Sequence, residues 1–207
     1  MARKQDIVYS RVVLEFTAAA NEFCKYAERA SEISGGELLR ILQRLLPFLY
    51  IKASLLPSLE PFFEDSNAKA VKESDWAAVR DVLKERFGSA DAYLEAYDPK
   101  IKEADGPVVG SIAEDMADIY QDLKNFLINY RTGTNEVMND AIWECKLNFE
   151  NYWGQRLTDS LRAIHRFVYS GEEINKIAPS EGNLEKMDTS DWIITRRQKD
   201  FRKNGKQ

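Results

Sequence analysis

An all-α bundle of about six helices is the fold this sequence predicts, and three observations carry it. Apolar residues recur at three- and four-residue steps along nearly the whole chain, which is the helical period. Gly and Pro number only 10 and 6 in 207 residues, too few for the many turns of an all-β chain. A hydrophobic share of 44% with 30% charged side chains fits one large globular domain with a real core.

The first helix follows from Tyr9, Val12, Val13, Phe16, Ala20, Phe23, Cys24 and Ala27, one apolar stripe with Asp6 placed to cap its start. After Gly35 and Gly36, "ELLRILQRLLPFLYIKASLLP" predicts a second helix. Its leucine density argues for a central position, with a kink at Pro47 and an end at Pro57 and Pro61. Residues 62–73 read as a polar connection. "SDWAAVRDVLKERFG" restarts a helix, with Ser74 or Asp75 as cap and Gly88 as stop. "SADAYLEAYDP" predicts a short fourth helix closed by Pro99, and "KIKEADGPVVG" a loop. "GSIAEDMADIYQDLKNFLINY" is the fifth helix, Gly110 to Tyr130, broken at "RTGT". The sixth runs from about Asn135 to Ser170 and stops near Gly171. The short break makes the last two a long helical hairpin. Residues 1–171 thus form the bundle domain, and 172–207 an irregular, partly disordered basic C-terminal extension.

Charge is unevenly spread. Arg196, Arg197, Lys199, Arg202, Lys203 and Lys206 against Asp200 give the stretch from Trp192 on +5, which leaves −10 on residues 1–191 of a chain at −5. An acidic body disfavours nucleic acid, whose binding rests on neutralising phosphates. The apolar run after the N-terminal "MARK" is interrupted by Arg11 and Glu15, so no signal peptide is expected. No stretch reaches the roughly 18 apolar residues of a membrane span, and the chain reads as cytoplasmic. Cys24 and Cys145 sit inside helical patterns and read as small buried hydrophobes.

The fifth helix carries the feature that invites a function. Glu114, Asp115, Asp118 and Asp122 fall on one arc of roughly 100°, apart from an apolar arc of Ile112, Met116, Ile119, Tyr120, Leu123, Phe126, Leu127 and Tyr130. Carboxylates suit the positive end of a helix, which favours a solvated or internally paired face. Yet no Lys or Arg interrupts the acidic arc, and like charges at i,i+4 repel unless something positive sits nearby. A divalent cation, a basic partner, an Arg of another helix, or the chain's own basic tail each meets that need. On the sixth helix Trp143, Leu147, Phe149, Trp153, Leu157, Leu161, Ile164, Phe167 and Val168 predict the core face, with Glu150 and Lys146 inside the same arc. A carboxylate there needs a partner such as Lys146, or it faces a pocket as general base or ligand. Counting outward from the loop sets Asp118 level with about Asn148 and Asp115 level with about Asn151, so a metal set of Asp115, Asp118 and Glu150 is the candidate to test.

Several chemistries are excluded. His165 is the only histidine, which removes multi-histidine zinc and di-iron sites, and its position places it roughly 22 Å along the helix from Glu150. A bound metal would have oxygen ligands, hence weak Mg²⁺ or Mn²⁺; otherwise no cofactor is expected. There is no phosphate-cradling P-loop and no G-x-S-x-G, and nothing supports a triad.

The segments "LLPFLYIKASLLP", "DAYLEAYDP", "GPVVGSIAEDMADIYQDLKNFL" and "FENYWGQRLTDSLRAIH", in this order, resemble a bacterial domain-of-unknown-function family, number 5063, over most of residues 10–168. That resemblance implies a small all-helical cytoplasmic protein and supplies no reaction and no catalytic residue. A fainter similarity links Asp115-x-x-Asp118 to the Mg²⁺ site of the all-α nucleotide pyrophosphohydrolases. The paired-Glu motif of their preceding helix is replaced here by Glu95, Lys102 and Glu103. The expected function is a non-catalytic binding or regulatory module using the acidic face of the fifth helix toward a protein partner or the basic tail. The alternative is a Mg²⁺- or Mn²⁺-dependent phosphohydrolase of small phosphorylated substrates with a carboxylate-only site.

Overall fold

The computed structural model describes residues 7–64, 67–95, 108–131 and 133–170, so Asp6, Lys102, Glu103 and the 172–207 extension lie outside the described residues. The architecture is an all-α bundle with one small antiparallel ribbon. Its helices are α1 (Arg11–Glu28), α2 (Gly35–Ser54), α3 (Glu73–Phe87), α4 (Ile112–Tyr130), α5 (Asn135–Asn148) and α6 (Gly154–Tyr169).

In α1 the buried stripe is Val13, Phe16, Ala19, Ala20, Phe23, Cys24 and Ala27, while Tyr9 is exposed. Helix α2 opens with Ser34, whose Oγ accepts from the Glu37 backbone N–H, an N-cap that satisfies one orphan donor. It runs on through Pro47 to Ser54 and buries leucines on one side, but Tyr50, Ile51 and Leu55 are exposed, so it is not central. That place belongs to α4, which packs against α1, α3, α5 and α6. Phe126 of α4 meets Phe16 of α1 at 5.1 Å between ring centroids, and Tyr130 donates to the Val8 carbonyl at 2.6 Å.

The chain between α2 and α3 is fastened by the α4–α5 hairpin. Lys146 donates to the Leu56 carbonyl and Ser58 Oγ, both at 2.9 Å. Asn139 donates to the Glu60 carbonyl at 2.8 Å, and Asp140 accepts from the Phe62 and Phe63 N–H groups at 2.7 and 2.9 Å. Asn129 donates to the Ala68 carbonyl at 3.0 Å, while Asn125 Oδ1 accepts from Ala70 and Val71 at 2.8 and 3.0 Å. Four buried polar side chains thus replace the hydrogen bonds that a loop without secondary structure lacks. Helix α3 then starts two residues before the expected caps end, at Glu73, with Asp75 accepting from the Lys72 N–H at 3.0 Å. Gly88 ends it at φ 52°, the left-handed region that a glycine enters at least cost.

Two expectations need correction. The short helix read over 89–99 is absent from its described part: a turn at Gly88–Ala90 leads into strand β1 (Ala92–Leu94), paired with β2 (Val109–Ser111). Ala92, Tyr93 and Leu94 face Ser111, Gly110 and Val109. Buried Asp91 fixes this entry, accepting from Ser111 Oγ and from the Ala113 N–H at 2.7 Å. Pairing with a distant segment therefore overrides a short local helical pattern. The last helix runs unbroken from Asn135 to Tyr169 as expected, but not as a regular α-helix: five residues of π-helix, Phe149–Trp153, lie between α5 and α6. No helix among the described residues is long and apolar enough to cross a membrane.

Candidate functional site

The acidic arc of α4 is covered, not open. Asp115 is buried at 2% exposure, Asp118 and Asp122 are partly buried, and Glu114 is exposed in the first turn. Ser111 Oγ accepts from the Glu114 N–H at 3.2 Å and so starts the helix just where the acids begin. Helix α6 lies over the arc and supplies the positive charge that the sequence lacked locally. Arg156 reaches Asp115 Oδ1 with Nη1 at 2.8 Å and Asp118 Oδ2 with Nε at 3.2 Å.

The two carboxylates collect further donors. Asp115 Oδ2 accepts from Tyr93 at 2.5 Å and from buried Ser160 at 2.6 Å. Asp118 accepts from Trp76 Nε1 at 2.8 Å and from Tyr152 at 2.6 Å. Four segments, β1, α3, the π-helical segment and α6, therefore converge on two side chains of α4. Gly110 makes one of these reaches possible: a Cβ there would lie 2.5 Å from the Tyr93 ring, which crosses β2 to find Asp115. Burial pushes the Asp115 carboxyl above its ordinary value, against the lowering effect of Ser160, Tyr93 and Arg156. Burial, then hydrogen bonding to Asp118, pushes the Tyr152 phenol up to about 12; burial and Asp115 move Tyr93 in the same direction. Both phenols accordingly stay protonated and act as donors.

Guanidinium groups lie against two of these aromatic rings. The Arg80 guanidinium lies 4.8 Å from the Trp76 ring centroid, and that of Arg156 lies 4.6 Å from the Tyr152 ring. Asp118 holds both rings, one through each carboxylate oxygen.

Asp122 is separate. It accepts from Asn148 at 2.8 Å, and burial raises its carboxyl to about 6. Asn148 thus meets Asp122, one turn away from the Asp118 level expected from loop counting, and Asp118 reaches Tyr152 and Arg156 instead. Glu144 pairs with Lys69.

Glu150 is a correction. Its side chain is 54% exposed, with Lys146 Nζ at 3.7 Å, so it is no buried carboxylate on a core face. The core seam of α5 is Met138, Ala141, Ile142 and Cys145, not Trp143 and Leu147, of which Leu147 is 40% exposed. Small buried residues were masked in the sequence by large half-exposed ones, and the π segment then shifts the phase before Trp153. Its exit explains Gly154, where a Cβ would sit 2.4 Å from the Phe149 carbonyl oxygen. Lys146, bound to Leu56 and Ser58, is occupied as a loop anchor.

Asp115, Asp118 and Glu150 therefore do not form a common ligand set: the first two converge on the Arg156 guanidinium, and the third, 54% exposed, pairs with Lys146. Among the described residues no three His, Cys, Asp or Glu side chains are grouped to hold a metal ion. The working side chains that sequence reasoning missed are Arg156, Tyr93, Ser160, Trp76 and Tyr152. Arg156 had one legible signal, namely that the unbalanced acids required a cation from another helix.

Fold and site together define an α-helical bundle in which a helical hairpin and a short β ribbon are tied by an Asp–Arg–Asp network. The chain belongs to the family described as Domain of unknown function (DUF5063), whose model matches residues 7–170. It is also similar to the crystal structure of protein BF1032 from Bacteroides fragilis, at 34% sequence identity and a TM-score of 0.71. That match covers 81% of this chain and 98% of the other. No curated protein matches significantly.

Proposed function

We propose that the protein is a non-catalytic binding module that meets a protein partner over the covered acidic turn of α4. The observation that carries this reading is Asp118, which orients Trp76 and Tyr152 while the Arg80 and Arg156 guanidinium groups lie against those rings. Trp, Tyr and Arg dominate the binding energy of protein interfaces, and rings fixed before contact lose little entropy on binding. Arg156 already takes up Asp115 and Asp118, two of the arc's carboxylates, which favours a separate partner over the chain's own basic tail. The phosphohydrolase reading has less support, because Asp115 and Asp118 spend their oxygens on Arg156, two phenols, a hydroxyl and an indole.

The test is crosslinking mass spectrometry and affinity capture with the full chain, comparing wild type with Arg80→Glu and Tyr152→Ala, and with Glu150→Lys as a surface control. Loss of the same captured protein in the first two variants but not the third supports the reading. An identical set of crosslinks in all four proteins overturns it.

A further inference from the structure

A second surface lies between α2 and α6, away from the acidic arc. Gln43, Arg44, Pro47, Thr158, Leu161, Arg162, His165 and Tyr169 line a groove of about 650 Å³, within the roughly 300–1,000 Å³ of small-molecule sites. We propose that this groove binds a small organic phosphate with a planar ring, the chemistry of a mononucleotide.

Charge comes first. The chain carries −5, yet among the described residues no carboxylate lines this groove while two guanidinium groups do. The contrast with the rest of the surface is informative: Arg11, Arg29, Lys52, Lys69, Arg80 and Lys124 each sit against a carboxylate. Arg44 and Gln43 make no hydrogen bond or ion pair among the described residues, so their donors are open to a ligand. Arg162 is held differently. One Nη2–H donates to the Leu94 carbonyl at 2.7 Å, which pins the planar fork on β1, and its other donors have no partner among the described residues. Two arginines on facing helices suit a phosphate group, whose oxygens take such forks in pairs.

The other half of the groove is apolar and aromatic. Pro47 and Leu161 add apolar lining, and the His165 and Tyr169 rings pack at 4.7 Å between centroids. Tyr169 is 69% exposed, so one ring face remains open for stacking. Thr158 Oγ1 donates to the Gln155 carbonyl at 2.8 Å, which leaves its lone pairs to accept from a ligand hydroxyl or amine. Oxyanion donors and an exposed ring surface in one groove are the two requirements of a phosphate ester carrying a base.

Isothermal titration of the full chain with AMP, adenosine and inorganic phosphate tests this, on wild type, Arg44→Glu, Tyr169→Ala and a remote control, Arg29→Glu. Arg44 is exposed and has no partner among the described residues, so its reversal leaves the fold intact, which circular dichroism checks. The expected result is saturable AMP binding that weakens with salt and is at least about tenfold weaker for both adenosine and phosphate alone. Arg44→Glu weakens AMP by about tenfold or more, Tyr169→Ala weakens AMP but not phosphate, and Arg29→Glu changes nothing. No AMP binding up to about 10 mM, or equal affinity in wild type and Arg44→Glu, overturns the site. Phosphate binding as tightly as AMP overturns the assignment of the ring.

Discussion

Replacing Arg156 by Met tests whether the Asp115–Asp118 pair depends on its guanidinium. Removing one partner of a buried ion pair costs about 3–5 kcal/mol, and an exposed pair is worth about 0–1 kcal/mol. The Arg156 side chain is 37% exposed while that of Asp115 is 2% exposed, so the pair lies between these limits. Tyr93 and Ser160 continue to donate to Asp115, which moderates the loss. An expected loss of about 2–3 kcal/mol follows at pH 7, read by urea unfolding with far-UV circular dichroism. The pH dependence has a definite sign. Burial already raises the folded-state affinity of Asp115 for a proton above its unfolded value, so this group costs stability as pH rises through the interval between the two. Without Arg156 that interval extends upward, and the gap between variant and wild type narrows as acid protonates Asp115. A double-mutant cycle with Asp115→Asn should return a coupling of at least about 1 kcal/mol. A loss and a coupling both under about 0.5 kcal/mol would mean that Arg156 is a solvated cation and that hydroxyls alone hold the carboxylate.

Other consequences are equally direct. Asp122→Asn keeps the acceptor for Asn148 and removes a carboxyl raised to about 6, so it stabilises at pH 7, with a gain that fades toward pH 4 in a series of thermal melts. Lys52, with Arg11, holds Glu15 down at about 2; Lys52→Met therefore destabilises at pH 7, and its deficit relative to wild type vanishes as pH falls toward 2. Gly154→Ala forces a Cβ into the Phe149 carbonyl and should cost about 2 kcal/mol or more in urea unfolding. Asn125→Ala strips the acceptor from the Ala70 and Val71 N–H groups, with a loss of about 2 kcal/mol and faster proteolytic cleavage between Asn67 and Lys72.

The helices were legible because their evidence is local. Apolar residues at three- and four-residue steps mark α1, α2 and α4, and Gly88 marks the end of α3. The segment 92–94 was not legible, since "AYL" suits a helix or a strand, and only its pairing with Val109–Ser111 decides between them. Glu150 was misplaced for a related reason. Large side chains were counted as the core face of the hairpin, whereas Ala141 and Cys145 pack there, and a π turn is invisible to a fixed angle per residue.

By itself the sequence determined the helical class, the family resemblance, the grouping of Glu114, Asp115, Asp118 and Asp122 on one arc, and the need for a positive charge against it. Spacing and charge sum over neighbouring residues, so one strand of text contains them. Which cation answers the arc was decided only by tertiary packing. Arg156 is 41 residues from Asp115 and Tyr93 is 22, and no local pattern links them. Packing also turned an acidic face that looked wet into a buried network, because exposure belongs to whatever element lies on top of a helix and not to the helix alone.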